Sequence, residues 1–132
     1  IQVFDTNGKL LRIMQINVPS PADAPVAIGN RPVVPAAGPD AAPVKTMMPG
    51  APWALCITPP GRDGQQTLFV ADAWPGRIYK MTLDGKVHGW LGGSGKQLKQ
   101  FGWIHAMACP TENSLYVAEL LNWRLQKLTL RP

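Results

Sequence analysis

A chain of 132 residues is long enough to form one domain with its own hydrophobic core. Its 14 prolines and 13 glycines disfavour long helices, and no apolar run approaches the roughly 18 residues of a membrane span. The net charge of +5 permits an acidic partner, but the basic residues are scattered, so we do not expect nucleic acid from charge alone.

The first residues predict a β-hairpin. Residues 1–5 alternate apolar and polar side chains as a strand does, and residues 9–16 form a second apolar run. The Asn-Gly pair between them is a strong signal for a tight turn. The same pattern recurs in residues 78–90. We therefore interpret residues 1–16 as the second half of a four-stranded unit.

Residues 17–50 differ in kind, because they are rich in proline and alanine and almost without periodicity. Proline removes a backbone donor and favours extended conformations. One interpretation is a flexible linker, and the other is a long, ordered surface loop. We favour the ordered loop because the apolar content is high for a purely solvated linker.

Residues 51–91 predict a complete four-stranded antiparallel unit, because apolar runs alternate with turn residues. The predicted strands cover residues 53–58, 67–72, 77–83 and 86–91. A glycine-rich connection follows at residues 92–103, and residues 104–132 then repeat the first three strands without a fourth.

The two cysteines, Cys56 and Cys109, lie on equivalent predicted strands. Aligning Trp53 with His105 places the cysteines one position out of phase. Successive residues of a strand point to opposite faces of its sheet. We therefore expect two buried free thiols rather than a disulfide.

One arrangement occurs twice: an apolar strand, an acid, a four-residue spacer, and an arginine that opens the next strand. The two stretches read LFVADAWPGRIYKMTLDGK and LYVAELLNWRLQKLTL. Repeats of about 40 to 50 residues with four short strands are typical of β-propellers. The pattern resembles the NHL-repeat family. That resemblance implies an all-β, NHL-type β-propeller, with about two and a half blades of a six-bladed ring present here.

The acid and the arginine of each copy are expected to form structural pairs. Asp72 and Arg77 end and begin neighbouring strands, as do Glu119 and Arg124. A carboxylate at such a corner can accept hydrogen bonds from the guanidinium and from backbone N–H groups.

The incomplete units at either side of the complete one predict further blades. Repeat units bury their faces only against neighbours, and open sheet edges promote aggregation. We expect the chain to be the C-terminal part of a larger propeller. The remaining blades would belong to the same longer chain or to a separate chain, and the missing outer strand would come from the N-terminus of the complete protein.

The resemblance also implies a candidate metal site. Family members that resemble peptidyl-hydroxyglycine amidating lyases hold zinc in the central channel through histidines of several blades. The first strand of each blade lines that channel, which places Trp53 and His105 there, and His105 is the candidate ligand. Catalytic zinc needs three protein ligands, so this alternative, a zinc-dependent lyase or hydrolase, requires ligands from other blades. Zinc or calcium would be a cofactor of this alternative alone.

The favoured function is a scaffold that binds a protein or small ligand, because the sequence contains no complete catalytic set. Trp74 and Trp123 fall in equivalent turns and form a candidate binding face. RNA binding, with basic residues near these tryptophans, is a second alternative. The Pro/Ala-rich insert and the proteins that the repeat resembles favour an extracytoplasmic location.

Overall fold

The computed structural model describes residues 1–20 and 50–131, so most of the predicted Pro/Ala-rich insert lies outside the described residues. The described ranges contain nine strands and no helix, which confirms the predicted all-β class. The strands are β1 (Gln2–Phe4), β2 (Leu10–Ile13), β3 (Pro52–Ile57), β4 (Leu68–Asp72), β5 (Arg77–Met81), β6 (Val87–Gly92), β7 (Ile104–Thr111), β8 (Ser114–Glu119) and β9 (Arg124–Thr129).

The strands form three antiparallel sheets, each built from strands that are consecutive in the chain. The first sheet is the hairpin β1-β2, the middle sheet has the order β3-β4-β5-β6, and the third sheet has the order β7-β8-β9. Short hairpin connections explain this order, because antiparallel neighbours need only a tight turn between them.

The sheets stack face to face, with the middle sheet between the other two. Leu68 and Val70 of β4 point towards the first sheet, and their equivalents in β8, Leu115 and Val117, point towards the middle sheet. The core between the first and middle sheets contains Met14, Leu68, Val70, Tyr79 and Met81. The core between the middle and third sheets contains Ala54, Phe69, Ala71, Ile78, Phe101, Ile104, Cys109, Leu115, Val117 and Leu128.

The connection from β6 to β7 is held against the stack by Phe101, which is fully buried. Gly92 lets the ring approach, because a Cβ at this position would lie 2.6 Å from Cε2 of Phe101. Burying a side chain of this size contributes about 1.5–3 kcal/mol. The glycine-rich connection is therefore fixed where the third sheet begins.

The prediction of two free thiols was wrong, because Cys56 and Cys109 form a disulfide with Cα atoms 6.0 Å apart. The two residues do point to opposite faces of their own sheets. In a stack, however, the face of one sheet lies against the opposite face of the next. The phase difference therefore brings the two sulfur atoms together. A register shift in β7 between Ala108 and Thr111 accompanies this arrangement.

Replacing both cysteines with alanine is expected to lower the free energy of unfolding by about 4 kcal/mol, because the bond closes a loop with a sequence separation of 53 residues. Urea denaturation of the oxidised chain and of the C56A/C109A variant measures this difference. A reducing agent should destabilise the wild-type chain and leave the variant unchanged. Equal stability of the two oxidised proteins would contradict the prediction.

Candidate functional site

The corner between β4 and β5 is organised around the carboxylate of Asp72, which is fully buried. Its Oδ1 accepts hydrogen bonds from the backbone N–H groups of Gly76 and Arg77, both at 2.8 Å. Its Oδ2 accepts from Nε of Arg77 at 3.0 Å and from the hydroxyl of Tyr79 at 2.8 Å. A buried charge needs such complete pairing, because its desolvation is otherwise unfavourable.

Tyr79 takes part in this corner as a neutral donor. Burial, together with the neighbouring carboxylate of Asp72, raises the pKa of the Tyr79 hydroxyl well above its ordinary value of 10.0. The guanidinium carbon of Arg77 lies 5.2 Å from the centre of the Tyr79 ring, within the range of a cation–π contact. The tyrosine therefore stabilises both members of the ion pair.

Arg77 also connects the corner to the segment that enters from the first sheet. Its Nη1 donates to the carbonyl of Pro19 at 2.8 Å, and its Nη2 donates to Oγ of Ser20 at 3.0 Å. The N–H of Gly50 donates to the carbonyl of Trp74 at 2.8 Å. Both described ends of the Pro/Ala-rich segment therefore lie at this one corner.

The third sheet repeats the corner around Glu119, which is buried where β8 ends. Its Oε1 accepts from Nε of Arg124 at 2.6 Å and from the side-chain amide of Gln126 at 2.8 Å. Its Oε2 accepts from the backbone N–H of Gly102 at 2.8 Å and from the side-chain amide of Asn122. The longer glutamate side chain thus reaches the incoming connection, whereas Asp72 binds the backbone of its own turn.

Arg124 holds the glycine-rich connection as Arg77 holds the earlier segment. Its guanidinium donates to the carbonyls of Gln97 at 3.0 Å and of Gln100 at 2.7 Å, and also to the carbonyl of Lys96. The structure thus brings both predicted acid–arginine pairs into contact. In each pair the arginine also binds the segment that crosses from the preceding sheet.

Sequence reasoning missed the residue two positions after each arginine, which is Tyr79 in one copy and Gln126 in the other. Both side chains donate to the corner carboxylate. The available signal was a side chain with a polar group at a strand position that lies between the arginine and a buried apolar residue of the same phase, Met81 or Leu128. Asn122 in the spacer is a further donor that the sequence did not assign to this role.

The two tryptophans of the predicted binding face have different surroundings. Trp74 is half-buried, and its carbonyl accepts the Gly50 hydrogen bond described above. Trp123 is 90% exposed and adopts the left-handed backbone conformation, with φ of 50°. Such a conformation is uncommon for a residue with a large side chain and occurs often at functional sites. Trp123 is therefore the more prominent of the two residues on this surface.

Trp53 and His105 occupy equivalent positions at the starts of β3 and β7, and each lies at a register shift. Both side chains are exposed. The ring of Trp53 packs edge-on against Trp103 at a centroid distance of 5.0 Å, and the buried Nε1 of Trp103 has no hydrogen-bond partner among the described residues.

Within residues 1–20 and 50–131 no three metal-binding side chains come together. The zinc hypothesis for His105 stays a prediction.

No protein-family model matches the chain, and no curated protein matches it. Across the described residues, no helix has the length and apolar character needed to cross a membrane.

Replacing Asp72 with alanine is expected to lower the free energy of unfolding by about 3–5 kcal/mol, because it leaves the buried guanidinium of Arg77 without its partner. The matched control is Glu112→Gln. That residue forms an exposed ion pair with Lys80 at 3.8 Å, and its loss should change stability by less than about 1 kcal/mol. Urea denaturation of the three proteins measures both effects. Similar losses in the two variants would contradict a special role for the corner.

The contribution of Glu119 to stability is expected to depend on pH. Burial acts to raise the pKa of this carboxyl, but hydrogen bonds from Arg124, Gly102 and other donors outweigh it and hold the pKa below its ordinary value of 4.5. A lowered pKa in the folded state stabilises the protein above the ordinary pKa, and this stabilisation is lost as pH falls through the lowered value.

The difference in unfolding free energy between the wild type and Glu119→Gln should therefore be largest near neutral pH and shrink below about pH 4. Other carboxyl groups titrate in both proteins, so their effects cancel in the comparison. Urea denaturation of both proteins between about pH 3 and pH 7 gives the measurement. A difference that stays constant over this range would exclude the ionised Glu119 as its source.

Proposed function

We propose that the chain is a segment of a β-propeller-type protein, of the NHL kind that its repeat resembles, and that it serves as a binding scaffold. The observation that carries this proposal is the position of the exposed apolar side chains. In the first and third sheets, these side chains lie on faces where the equivalent residues of the middle sheet are buried.

The first sheet exposes apolar side chains on the face that points away from the middle sheet. Phe4 is 50% exposed, and Leu10, its partner in the β-ladder, is exposed beside it. The repeat places Met81 and Val87 at the equivalent positions of the middle sheet, where both pack into the core. The difference indicates that this face of the first sheet is suited to cover by another sheet.

The third sheet shows the same contrast on its outer face. Leu125 is 63% exposed, while its equivalent in the middle sheet, Ile78, is fully buried against the third sheet. Tyr116 and Ala118 lie on the same outer face and are only partly buried. This surface therefore has the composition of an inter-sheet contact.

The exposed side of β3 completes the pattern. Leu55 and Ile57 point to the same side as Leu68 and Val70, with which they pair, yet they remain about half exposed. Two further strands beside β1, at the positions that β3 and β4 occupy in the middle sheet, would cover these two side chains. The partners of this chain would accordingly be the remaining blades, in the same longer chain or in a separate one.

The scaffold would bind its protein or small-molecule ligand through the turns at the acid–arginine corners, where Trp123 projects. These turns are held by buried ion pairs, which makes them a rigid surface for recognition. The disulfide supports an extracytoplasmic location, since such bonds persist mainly in oxidising compartments.

The 132-residue chain is expected to self-associate through its two apolar faces, because no further sheet formed by the described residues covers them. Sedimentation over a range of protein concentrations should show reversible association. The double variant Phe4→Lys/Leu125→Lys should remove it without changing the circular dichroism spectrum. Leu120→Lys is the matched control, because it makes the same kind of change at an exposed loop residue.

A chain that remains monomeric, and whose sedimentation the double variant does not alter, would contradict the stacking proposal.

Metal analysis of the purified protein gives a separate test of the alternative function, a zinc-dependent lyase or hydrolase. Zinc that is retained through purification and lost in His105→Ala would favour the lyase-like function over the scaffold.

A further inference from the structure

The turn between β8 and β9 carries a tryptophan where the other copy of the repeat has a glycine. Trp123 and Gly76 both precede the corner arginine, and both adopt the left-handed conformation, with φ of 50° and 82°. Glycine adopts this conformation without strain, whereas a bulky side chain does so at a cost in stability. The side chain of Trp123 is almost fully exposed, so packing against the described residues does not offset that cost. Folding alone therefore does not explain a tryptophan at this position.

The same comparison indicates that the space around Trp123 is not filled as it is around Gly76. In the middle sheet the connection to the next sheet passes directly over Gly76, because a Cβ there would lie 3.0 Å from the carbonyl oxygen of Phe101 and 3.3 Å from that of Gly93. Trp123 places its Cβ and its indole in the equivalent space. A connection that leaves the third sheet cannot take the same path over this turn. The exposure of Trp123 is therefore a property of its own turn.

Two further apolar side chains are exposed at the same end of the third sheet. Leu120 begins the turn, and Leu98, which is 83% exposed, lies in the connection from β6 to β7. The turn and the connection are joined by the hydrogen bonds that Arg124 donates to three carbonyls of the connection. We call residues 95–100 and 120–124 the corner surface. Its exposed apolar side chains project from a backbone that the buried corner holds in place.

The charges of the described residues are divided unevenly between the two ends of the sheets. Lys96 and Lys99 are exposed on the corner surface, and the N–H of Lys99 donates to Oε1 of Gln126 at 3.1 Å, which fixes the backbone there. The two corner carboxylates are buried and paired. The other described acids lie in turns at the opposite end of the strands: Asp5, Asp63, Asp84 and Glu112. Among the described residues, the corner surface therefore combines exposed apolar groups with positive charge and has no exposed acid.

We propose that the corner surface docks onto an anionic lipid membrane, with the indole of Trp123 inserted at the level of the lipid headgroups. A tryptophan suits that interface because its ring is apolar and its N–H is polar. Lys96 and Lys99 can lay their methylene chains along the apolar surface while their ammonium groups stay in water beside anionic headgroups. A membrane accepts side chains that project from the protein, whereas a small ligand needs a concave pocket.

This inference rests on the part of the proposed function that assigns recognition to the turns at the acid–arginine corners. It does not require the stacking of further sheets, because the apolar faces of the first and third sheets lie on the sides of the stack and the corner surface lies at its end. Binding through one tryptophan and a pair of lysines is expected to be reversible, since it buries far less apolar surface than a membrane-spanning helix.

The test uses the 132-residue chain and vesicles of phosphatidylcholine, either alone or with about one third phosphatidylglycerol. Vesicle flotation measures binding, because self-associated protein that is not bound does not float. The wild type should bind the anionic vesicles at least about tenfold more tightly than the neutral ones, and added salt should weaken this binding. Vesicles with brominated acyl chains report insertion, because bromine quenches the fluorescence of tryptophans that enter the lipid.

Trp123→Gly should weaken binding to the anionic vesicles at least about tenfold and should abolish the quenching. Its midpoint of urea denaturation should equal or exceed that of the wild type, because glycine fits the left-handed conformation, so a loss of binding is not a loss of folding. Trp90→Ala is the matched control. Trp90 is exposed on β6 rather than at a corner, and this variant should retain both binding and quenching.

The lysines are tested by a second pair of variants. Lys96→Gln/Lys99→Gln should weaken binding to the anionic vesicles and preserve the weaker binding to the neutral ones. Lys9→Gln/Lys86→Gln makes the same charge change at exposed residues in turns at the opposite end of the strands. This control should preserve binding to both kinds of vesicle, because its lysines face away from the membrane.

Undiminished binding of Trp123→Gly, or quenching that persists in this variant, would overturn the proposal. Soluble polyglutamate that displaces the protein from the vesicles, together with an absence of quenching, would indicate an acidic protein partner and would also overturn it. A monomeric chain that binds vesicles through Trp123 would support this proposal and contradict the stacking of sheets. A chain that self-associates through its apolar faces and does not bind anionic vesicles would do the reverse.

Discussion

The buried carboxylate at the end of the second strand of each repeat is the constraint on which the rest of the structure depends. Asp72 and Glu119 are both removed from water, and each accepts at least four hydrogen bonds. The donors come from the following turn, from the next strand and, for Glu119, from the incoming connection. A buried charge requires these donors together, so the side chain of Glu119 fixes three separate segments and that of Asp72 fixes two.

The arginine of each pair extends this constraint from one sheet to the next. Arg77 binds the segment that arrives from the first sheet, and Arg124 binds the connection that arrives from the middle sheet. The inner strands β3 and β7 begin opposite the corner acids, because Pro52 pairs with Asp72 and Ile104 pairs with Glu119. β7 lies against β3, and the disulfide between Cys56 and Cys109 links these two inner strands.

The strands and the acid–arginine contacts could be predicted from the sequence because they depend on residues that are close along the chain. Alternation of side chains, turn residues and a five-residue separation between acid and arginine are all local signals. The disulfide could not be predicted by the same argument, because it depends on which faces of two sheets meet. The register shifts at Trp53 and His105, and the donors Tyr79 and Gln126, likewise depend on contacts beyond the single strand.

Equivalent residues of the middle and third sheets differ in their surroundings. In the middle sheet, β5 is paired on both sides, Lys80 lies close to a carboxylate, and Ile78 is buried. Among the described residues, their equivalents in the third sheet are a strand paired on one side, a lysine without a carboxylate partner, and an exposed leucine. The buried corner is nonetheless conserved between the copies. The third sheet therefore repeats the buried corner of the middle sheet, while its outer strand has different surroundings among the described residues.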